Sequence, residues 1–223
     1  MGAILDQALK QLEWDSEHFG YPVAQLFGSW SSDVEPWCES NQIRCLYWLT
    51  NDAPPKPMVP VDVRTELTWN SQPVTDPHLV IADSGDFDKL AQIIPSAFVE
   101  SRFYRDPNFG VEAADGLHLT RIRKDLSDPS RTVLVDEARS GFVTVDLTSI
   151  PPRLALIAVH RDARGRGIGR RLVQGFQNMV YQAGFDQGYV VTNGQNEAAL
   201  QLYQGEEFAI SKRENWYHFW FDR

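Results

Sequence analysis

The residues with the clearest chemical potential are Arg164, Gly165, Arg166, Gly167, Ile168 and Gly169, which lie between an apolar run over 154–159 and an amphipathic one that begins at Ile168. Glycines at such a junction let successive backbone N–H groups converge on one point. A helix starting there adds its unpaired amino-terminal donors and the positive end of its dipole. That combination holds phosphate oxygens. Arg161, Arg164, Arg166, Arg170 and Arg171 crowd positive charge around the run, although 21 Lys and Arg face 30 Asp and Glu in the whole chain, for a formal net charge of -9. So acidic a chain is not expected to bind nucleic acid or an anionic membrane, because those partners select basic surfaces. An anionic ligand needs a local site, and the glycine run offers one.

Two phosphate-binding signatures are excluded by spacing. No lysine follows the glycines as a Walker A loop requires, and the dinucleotide fingerprint counted from Gly165 ends on Arg170 rather than glycine. The pattern that fits is Arg/Gln-x-x-Gly-x-Gly/Ala, through Arg164, Gly167 and Gly169. Asn196 and Tyr203 lie seven residues apart, two helical turns, so both face one side of a short helix. The two cysteines, Cys38 and Cys45, have no histidine near them. No metal or disulfide framework is expected, and a reducing, cytoplasmic setting fits.

The elements that must position these residues are those of a mixed α/β chain. A strand is expected over 78–82, then a helix capped by Asp86 that carries Phe87, Leu90, Ile94 and Phe98 and is interrupted at Pro95. After a polar loop over 101–110, Val111, Ala114, Leu117 and Ile122 mark one face of a second helix. Three β-branched runs, 132–136, 141–147 and 153–159, predict an antiparallel meander. Beyond the glycine loop, Ile168, Leu172, Phe176, Met179 and Ala183 form a helical stripe stopped by Gly184. A strand over 189–192, a helix over 196–204 and two closing strands over 208–213 and 216–221 complete the chain.

Upstream, the runs at 21–30 and 43–49 read as short strands and loops, broken by Pro54, Pro55, Pro57 and Pro60. The turn-rich stretch 70–78 predicts a boundary near residue 76, with a small amino-terminal α/β domain over 1–76 and a larger one over 77–223. The first twenty residues lack a basic leader, and no stretch reaches transmembrane length, so neither export nor membrane insertion is expected. The closing aromatic strand offers an edge for a homodimer.

The loop with its flanking elements resembles the GCN5-related N-acetyltransferase (GNAT) superfamily. LALIAVHRDARGRGIG is similar to that family's fourth strand and pyrophosphate loop, and NEAALQLYQGEEF to the helix after its fifth strand. The resemblance implies the GNAT fold, a mixed and mostly antiparallel sheet flanked by helices, with acetyl-CoA or another acyl-CoA as cosubstrate. It implies that a bulged fourth strand splays from the fifth and offers backbone groups of Ile157, Ala158 and Val159 to the pantetheine arm, an N–H near Val159 serving the oxyanion. Arg164, Gly165, Arg166, Gly167, Ile168, Gly169 and Arg170 would take the pyrophosphate, Asn196 would bond the pantetheine, and Tyr203 would protonate the leaving thiolate. The ordinary structural readings are an N-cap for Asn196 and a core position for Tyr203. The base that frees the amine is open among Glu100, His118, Asp146 and Glu197.

LEWDSEHFG and AFVESRFYRDPNF are similar to the subgroup of that superfamily which acylates nucleotide-linked amino sugars. This implies Ser101, Arg102 and Tyr104 along the acceptor side, Arg102 against a diphosphate, and a nucleotide-linked (dTDP-type) amino-deoxy sugar as the small-molecule partner. The alternatives are another small amine, a protein amine, or a non-catalytic acyl-CoA-binding module.

Overall fold

From residue 8 to residue 221, the part that this computed structural model describes, the chain runs through β1 (Leu9–Gln11), α1 (Glu13–Phe19), β2 (Val23–Leu26), α2 (Val34–Ser40), β3 (Cys45–Thr50), β4 (Asp62–Asn70), β5 (Val80–Ile81), α3 (Phe87–Ala91), α4 (Arg102–Arg105), α5 (Val111–Ser127), β6 (Arg131–Val135), β7 (Gly141–Asp146), β8 (Arg153–Val159), α6 (Ile168–Gln182), β9 (Gln187–Asn193), α7 (Glu197–Gly205) and β10 (Ala209–Trp220). Residues 1–7, part of the expected leaderless amino terminus, lie outside the described residues. Among the described residues no helix is long and apolar enough to cross a membrane.

The strands form one sheet in the order β1-β2-β3-β10-β4-β9-β8-β7-β6-β5. Only β2 with β3 and β8 with β9 are parallel; the other neighbours are antiparallel, the expected β6-β7-β8 meander among them. The mixed, mostly antiparallel sheet with helices packed against it agrees with the fold class expected from the sequence. Leu172, Val173, Phe176 and Val180 of α6 bury against Val143, Val145 and Val190 and close one core, while Leu90 and Ile122 close another against Phe142, Leu156 and Ala158. Burial of such side chains is worth roughly 1.5–3 kcal/mol each, and it clamps α6 and α5 against β7 and β8.

Several expectations are corrected. The two closing strands expected within 208–221 are one twelve-residue strand; the residues between them, Glu214 and Asn215, are half-buried in the ladder, where Glu214 reaches Arg64 across it. Because β10 lies between β3 and β4, it is an interior strand and offers no edge for a dimer through residues 216–221. Asp86 does not cap α3 with its side chain: Asp83 caps a preceding 3₁₀ turn, and Asp86 is ion-paired to Arg139. That first helix ends at Ala91, ahead of Pro95, so Phe98 is not part of it. Val111 is exposed, whereas Ala114, Leu117 and Ile122 bury as expected. The supposed loop 101–110 contains α4, and the described part of the first third holds two helices and the nine-residue β4. The boundary expected near residue 76 falls between β4 and β5, in a chain whose strands on either side join one sheet through β4, β9 and β10.

Candidate functional site

The site begins with a register change in β8. Thr144 pairs with Leu156 and Val145 with Leu154, so Ala155 is the extra residue of a bulge. The bulge turns the strand: Leu154 packs into the α6 core, while Leu156, which simple alternation would put beside it, packs into the α5 core. On its other side β8 meets β9 only at Arg153–Tyr189 and Leu154–Val190. From Ala155 onward the two parallel strands have no partners in register, and the sheet opens into a wedge.

One side of the wedge is a cavity of about 910 Å³, lined by Ile157, Ala158, Val159, the loop 163–170 apart from Arg166, and residues 195–199 with Leu202 and Tyr203. Gly165 and Gly167 have φ of 76° and 75°, the left-handed region that side-chain-bearing residues rarely adopt, and Gly167 opens α6 from that conformation. Nothing lies within 4 Å of a Cβ built at either, so the demand is on the backbone, and the space beside it is free. The fit to a pyrophosphate follows from this: a glycine bend, a helix amino terminus and an open cavity beside both.

The structure brings Ile157, Ala158, Val159, Arg164, Gly165, Gly167, Ile168, Gly169, Arg170 and Asn196 to this wall. It does not bring Arg166, whose Nη2 donates to the Asp162 carbonyl at 3.0 Å. The positive field is also smaller than the arginine count suggests, because Arg170 pairs with Glu206 at 2.8 Å and Arg161 with Asp162 at 3.7 Å.

Asn196 is an N-cap: its Oδ1 accepts from the Ala199 N–H at 3.1 Å and starts α7. It nonetheless lies on the cavity wall. Tyr203, 3% exposed, has burial pushing its hydroxyl well above the usual tyrosine range, so it is protonated at any physiological pH. Its hydroxyl has no hydrogen-bond partner among the described residues, and Tyr203 lines both sides of the wedge.

The other side is a cavity of about 270 Å³, reached past Ala97, Glu100, Ile157, Asn196, Ala199 and Tyr203, which line both. Asn193 fixes the rim by donating to the Glu100 carbonyl at 2.6 Å while accepting from the Gln195 N–H at 2.7 Å. Arg105 extends it, bonded to both Glu100 and Gln195. Ser101 and Arg102 line this cavity, and the buried Ser101 Oγ has no partner among the described residues. Tyr104 does not line it; its hydroxyl donates to Asp115 on α5.

Of the open base candidates, Asp146 is excluded by position, since it binds Arg131 and Arg153 away from the wedge. His118 lines the second cavity with neither ring nitrogen bonded, but burial drives its pKa down to about 3, leaving too weak a base to capture an ammonium proton. Glu197 lines the first cavity and Glu100 both.

The sequence reading missed Asp62, the first residue of β4, held opposite Trp216 of β10. Its Oδ1 is buried without a partner on the wall of the second cavity, and burial, opposed by Arg102 and Arg105, raises its pKa from 3.8 to about 6. The only local signal is an acid opening the alternating run Val63, Thr65, Leu67, Trp69, too weak to single it out.

Known proteins resemble this arrangement. Residues 129–210 match the family described as an acetyltransferase (GNAT) domain. The dTDP-fucosamine acetyltransferase of Escherichia coli is 29% identical over 149 residues, covering 64% of this chain and 63% of that relative, so the match spans less than two thirds of the relative's length. A GCN5-related N-acetyltransferase from Sphaerobacter thermophilus superposes with a TM-score of 0.63 at 12% identity, over 95% of this chain and 76% of that one. An acetyltransferase from the GNAT family from Colwellia psychrerythraea gives 0.54 at 11%, over 88% and 76%. At these identities the structural likeness concerns the fold.

Proposed function

With residues 129–210 forming a GNAT acetyltransferase domain, we propose that the chain is an acyl-CoA-dependent N-acyltransferase that moves an acetyl or short acyl group to the amine of a nucleotide-linked amino sugar. The observation that carries the reading is the wedge between β8 and β9, where two cavities share a wall that includes Ile157, Asn196 and Tyr203. A donor in the larger and an amine in the smaller would meet without a covalent enzyme intermediate, and holding them together is the main source of acceleration.

The thioester supplies an activated carbonyl; the chain does the rest. A main-chain N–H of residues 157–159, freed by the splay, is the donor for the carbonyl oxygen as it gains charge. Asp62 is the group we assign to take the ammonium proton, being ionised at neutral pH yet more basic than an ordinary carboxylate. The amine nitrogen then forms the C–N bond, the C–S bond breaks, Tyr203 gives its proton to the departing sulfur, and the second proton on the nitrogen passes to the Tyr203 oxygen, leaving a neutral amide and a restored phenol. The nucleotide-linked sugar is favoured by the likeness to a protein named for dTDP-fucosamine.

Thiol release from acetyl-CoA, followed against dTDP-linked amino sugars, simple amines and peptides, tests donor and acceptor together. Turnover with the sugar nucleotides and none with peptides is the expected outcome. Turnover with peptides alone refutes the acceptor, and silence with every amine refutes the enzyme.

A further inference from the structure

Two guanidinium groups in the smaller cavity lack what a buried arginine ordinarily has. Arg102 lies over the rings of Tyr47, Phe103 and Trp216 at 4.1, 4.3 and 4.3 Å, and Arg121 over Trp14 and Phe103 at 5.7 and 6.0 Å, so both flank Phe103. Both line the cavity. Among the described residues no carboxylate stands within ion-pair distance of either, whereas Arg64, Arg105, Arg131 and Arg153 nearby each have one. Asp15 and Asp62 act on Arg102 electrostatically, and Asp15 and Asp125 on Arg121, but from beyond that distance.

Arg102 is nevertheless held in place. Its Nη1 donates to His218 Nε2 at 2.6 Å, His218 Nδ1 donates to Asp106 at 2.7 Å, and Trp220 Nε1 donates to the same carboxylate oxygen at 2.8 Å. These partners fix the neutral tautomer with its proton on Nδ1. The charge of Asp106 is thus spent on the imidazole, and the arginine is oriented without being neutralised. No hydrogen bond to the protein is made by Arg121 or by the remaining donors of Arg102 among the described residues. Aromatic faces repay only part of the cost of desolvating a guanidinium.

Arg121 also lines an adjoining cavity of about 320 Å³ with Trp14, Lys124, Arg131 and Arg153. Arg131 and Arg153 are engaged by Asp146, and Asp125 and Asp128 lie on the same wall, which leaves Arg121 and Lys124 as its cations without an ion pair. A ligand gripped at Arg121 has room to continue there, against an indole face.

We propose that Arg102 and Arg121 form a two-guanidinium clamp for a phosphate group of the acyl acceptor, with His218 and Asp106 as positioning residues. The word acceptor rests on the acyltransferase reading; the anion site does not. Forked donors on either side of Phe103 suit the several oxygens of a diphosphate, and the adjoining cavity suits the group beyond it.

The test uses the full chain saturated with CoA, so that the glycine loop is occupied, titrated calorimetrically with dTDP, inorganic pyrophosphate and thymidine. dTDP and pyrophosphate should bind and thymidine should not. Arg121→Gln should weaken dTDP at least tenfold, with partial recovery in Arg121→Lys, and should raise the KM of a dTDP-linked amino sugar far more than it lowers kcat. His218→Gln should weaken dTDP less than Arg121→Gln. Circular dichroism and melting curves identify folded variants, and Arg121→Met replaces Arg121→Gln should that protein not fold. Equal affinity of wild type and folded Arg121 variants for dTDP, or no binding of dTDP and pyrophosphate by the wild type, overturns the clamp. dTDP binding lost in Arg121→Gln without thiol release supports the clamp and refutes acyl transfer; thiol release with a neutral amine and no dTDP binding does the reverse.

Discussion

The two sides of the wedge are built on opposite principles. The larger cavity is made of backbone: glycines at positive φ, a helix amino terminus and a strand that has lost its partner, all from residues 157–170 and 195–203. The smaller depends on side chains: its half-buried charges, Asp62, Arg64, Arg102 and Arg121, come from β4, α4 and α5, with Trp216 of β10 beside them. Backbone recognition needs only a bend of the right shape and tolerates many sequences around it. A charged pocket must hold each group against the cost of its own desolvation, so every member depends on neighbours such as His218 and Asp106. The first kind of site suits a donor common to many enzymes, and the second suits an acceptor peculiar to one.

Tyr203→Phe cuts most sharply across this division, because Tyr203 belongs to both walls. Loss of the proton donor should lower kcat by about 10²–10⁴-fold, while the KM for acetyl-CoA changes little. A variant with wild-type turnover removes Tyr203 from the chemistry and leaves it a core residue.

Asp62→Asn strikes the acceptor side alone. Turnover should fall by about 10²-fold, and the rise of wild-type activity through pH about 6 should vanish from the profile. Stability should move the other way. The folded pKa of about 6 lies above the ordinary 3.8, so Asp62's favourable contribution is complete below pH 3.8 and is lost as pH rises through about 6. At pH 8 the ionised group weakens the fold, and Asp62→Asn should melt roughly 2–4 °C higher than wild type, with the difference gone by pH 4. A variant that melts lower at pH 8 would show that the carboxylate is satisfied there, contrary to its unpartnered Oδ1.

How legible each side was in the sequence follows the same division. The loop from Arg164 to Gly169, the strand before it and the helix after it are contiguous, and a glycine's freedom is written in its own letter, so most of the residues along the larger cavity's wall are legible in the sequence. Spacing puts Asn196 and Tyr203 on one helix face, and only the resemblance gives them their roles. His218 reaches Arg102, and Trp216 stands opposite Asp62, only because β10 inserts between β3 and β4, a long-range pairing with no local trace. Tyr104 shows the limit of inference from a neighbour: two residues beyond Arg102, it turns to Asp115 instead.

Gly167→Val probes the backbone side. Its φ of 75° is costly for a β-branched residue, and no contact hinders the new side chain itself, so the penalty falls on the bend. The KM for acetyl-CoA should rise about tenfold, as expected for a strain of 1–2 kcal/mol, with the acceptor KM nearly constant. An equal rise in both would mean that the two cavities are not separable.

The smallest effect is expected at Arg166, and it sharpens the comparison by asking whether charge near the loop matters without contact. Arg166 belongs to the loop that the resemblance assigns to the pyrophosphate, yet in space its guanidinium donates to the Asp162 carbonyl and is absent from the cavity wall that Arg164 lines. An exposed charge acting through water is worth less than about 1 kcal/mol and is screened further by salt. Arg166→Ala should therefore shift the KM for acetyl-CoA by no more than about twofold at physiological ionic strength, and Arg164→Ala by more. Were Arg166→Ala the more damaging of the two, the donor side would depend on side-chain charge after all, and the contrast with the acceptor side would fail.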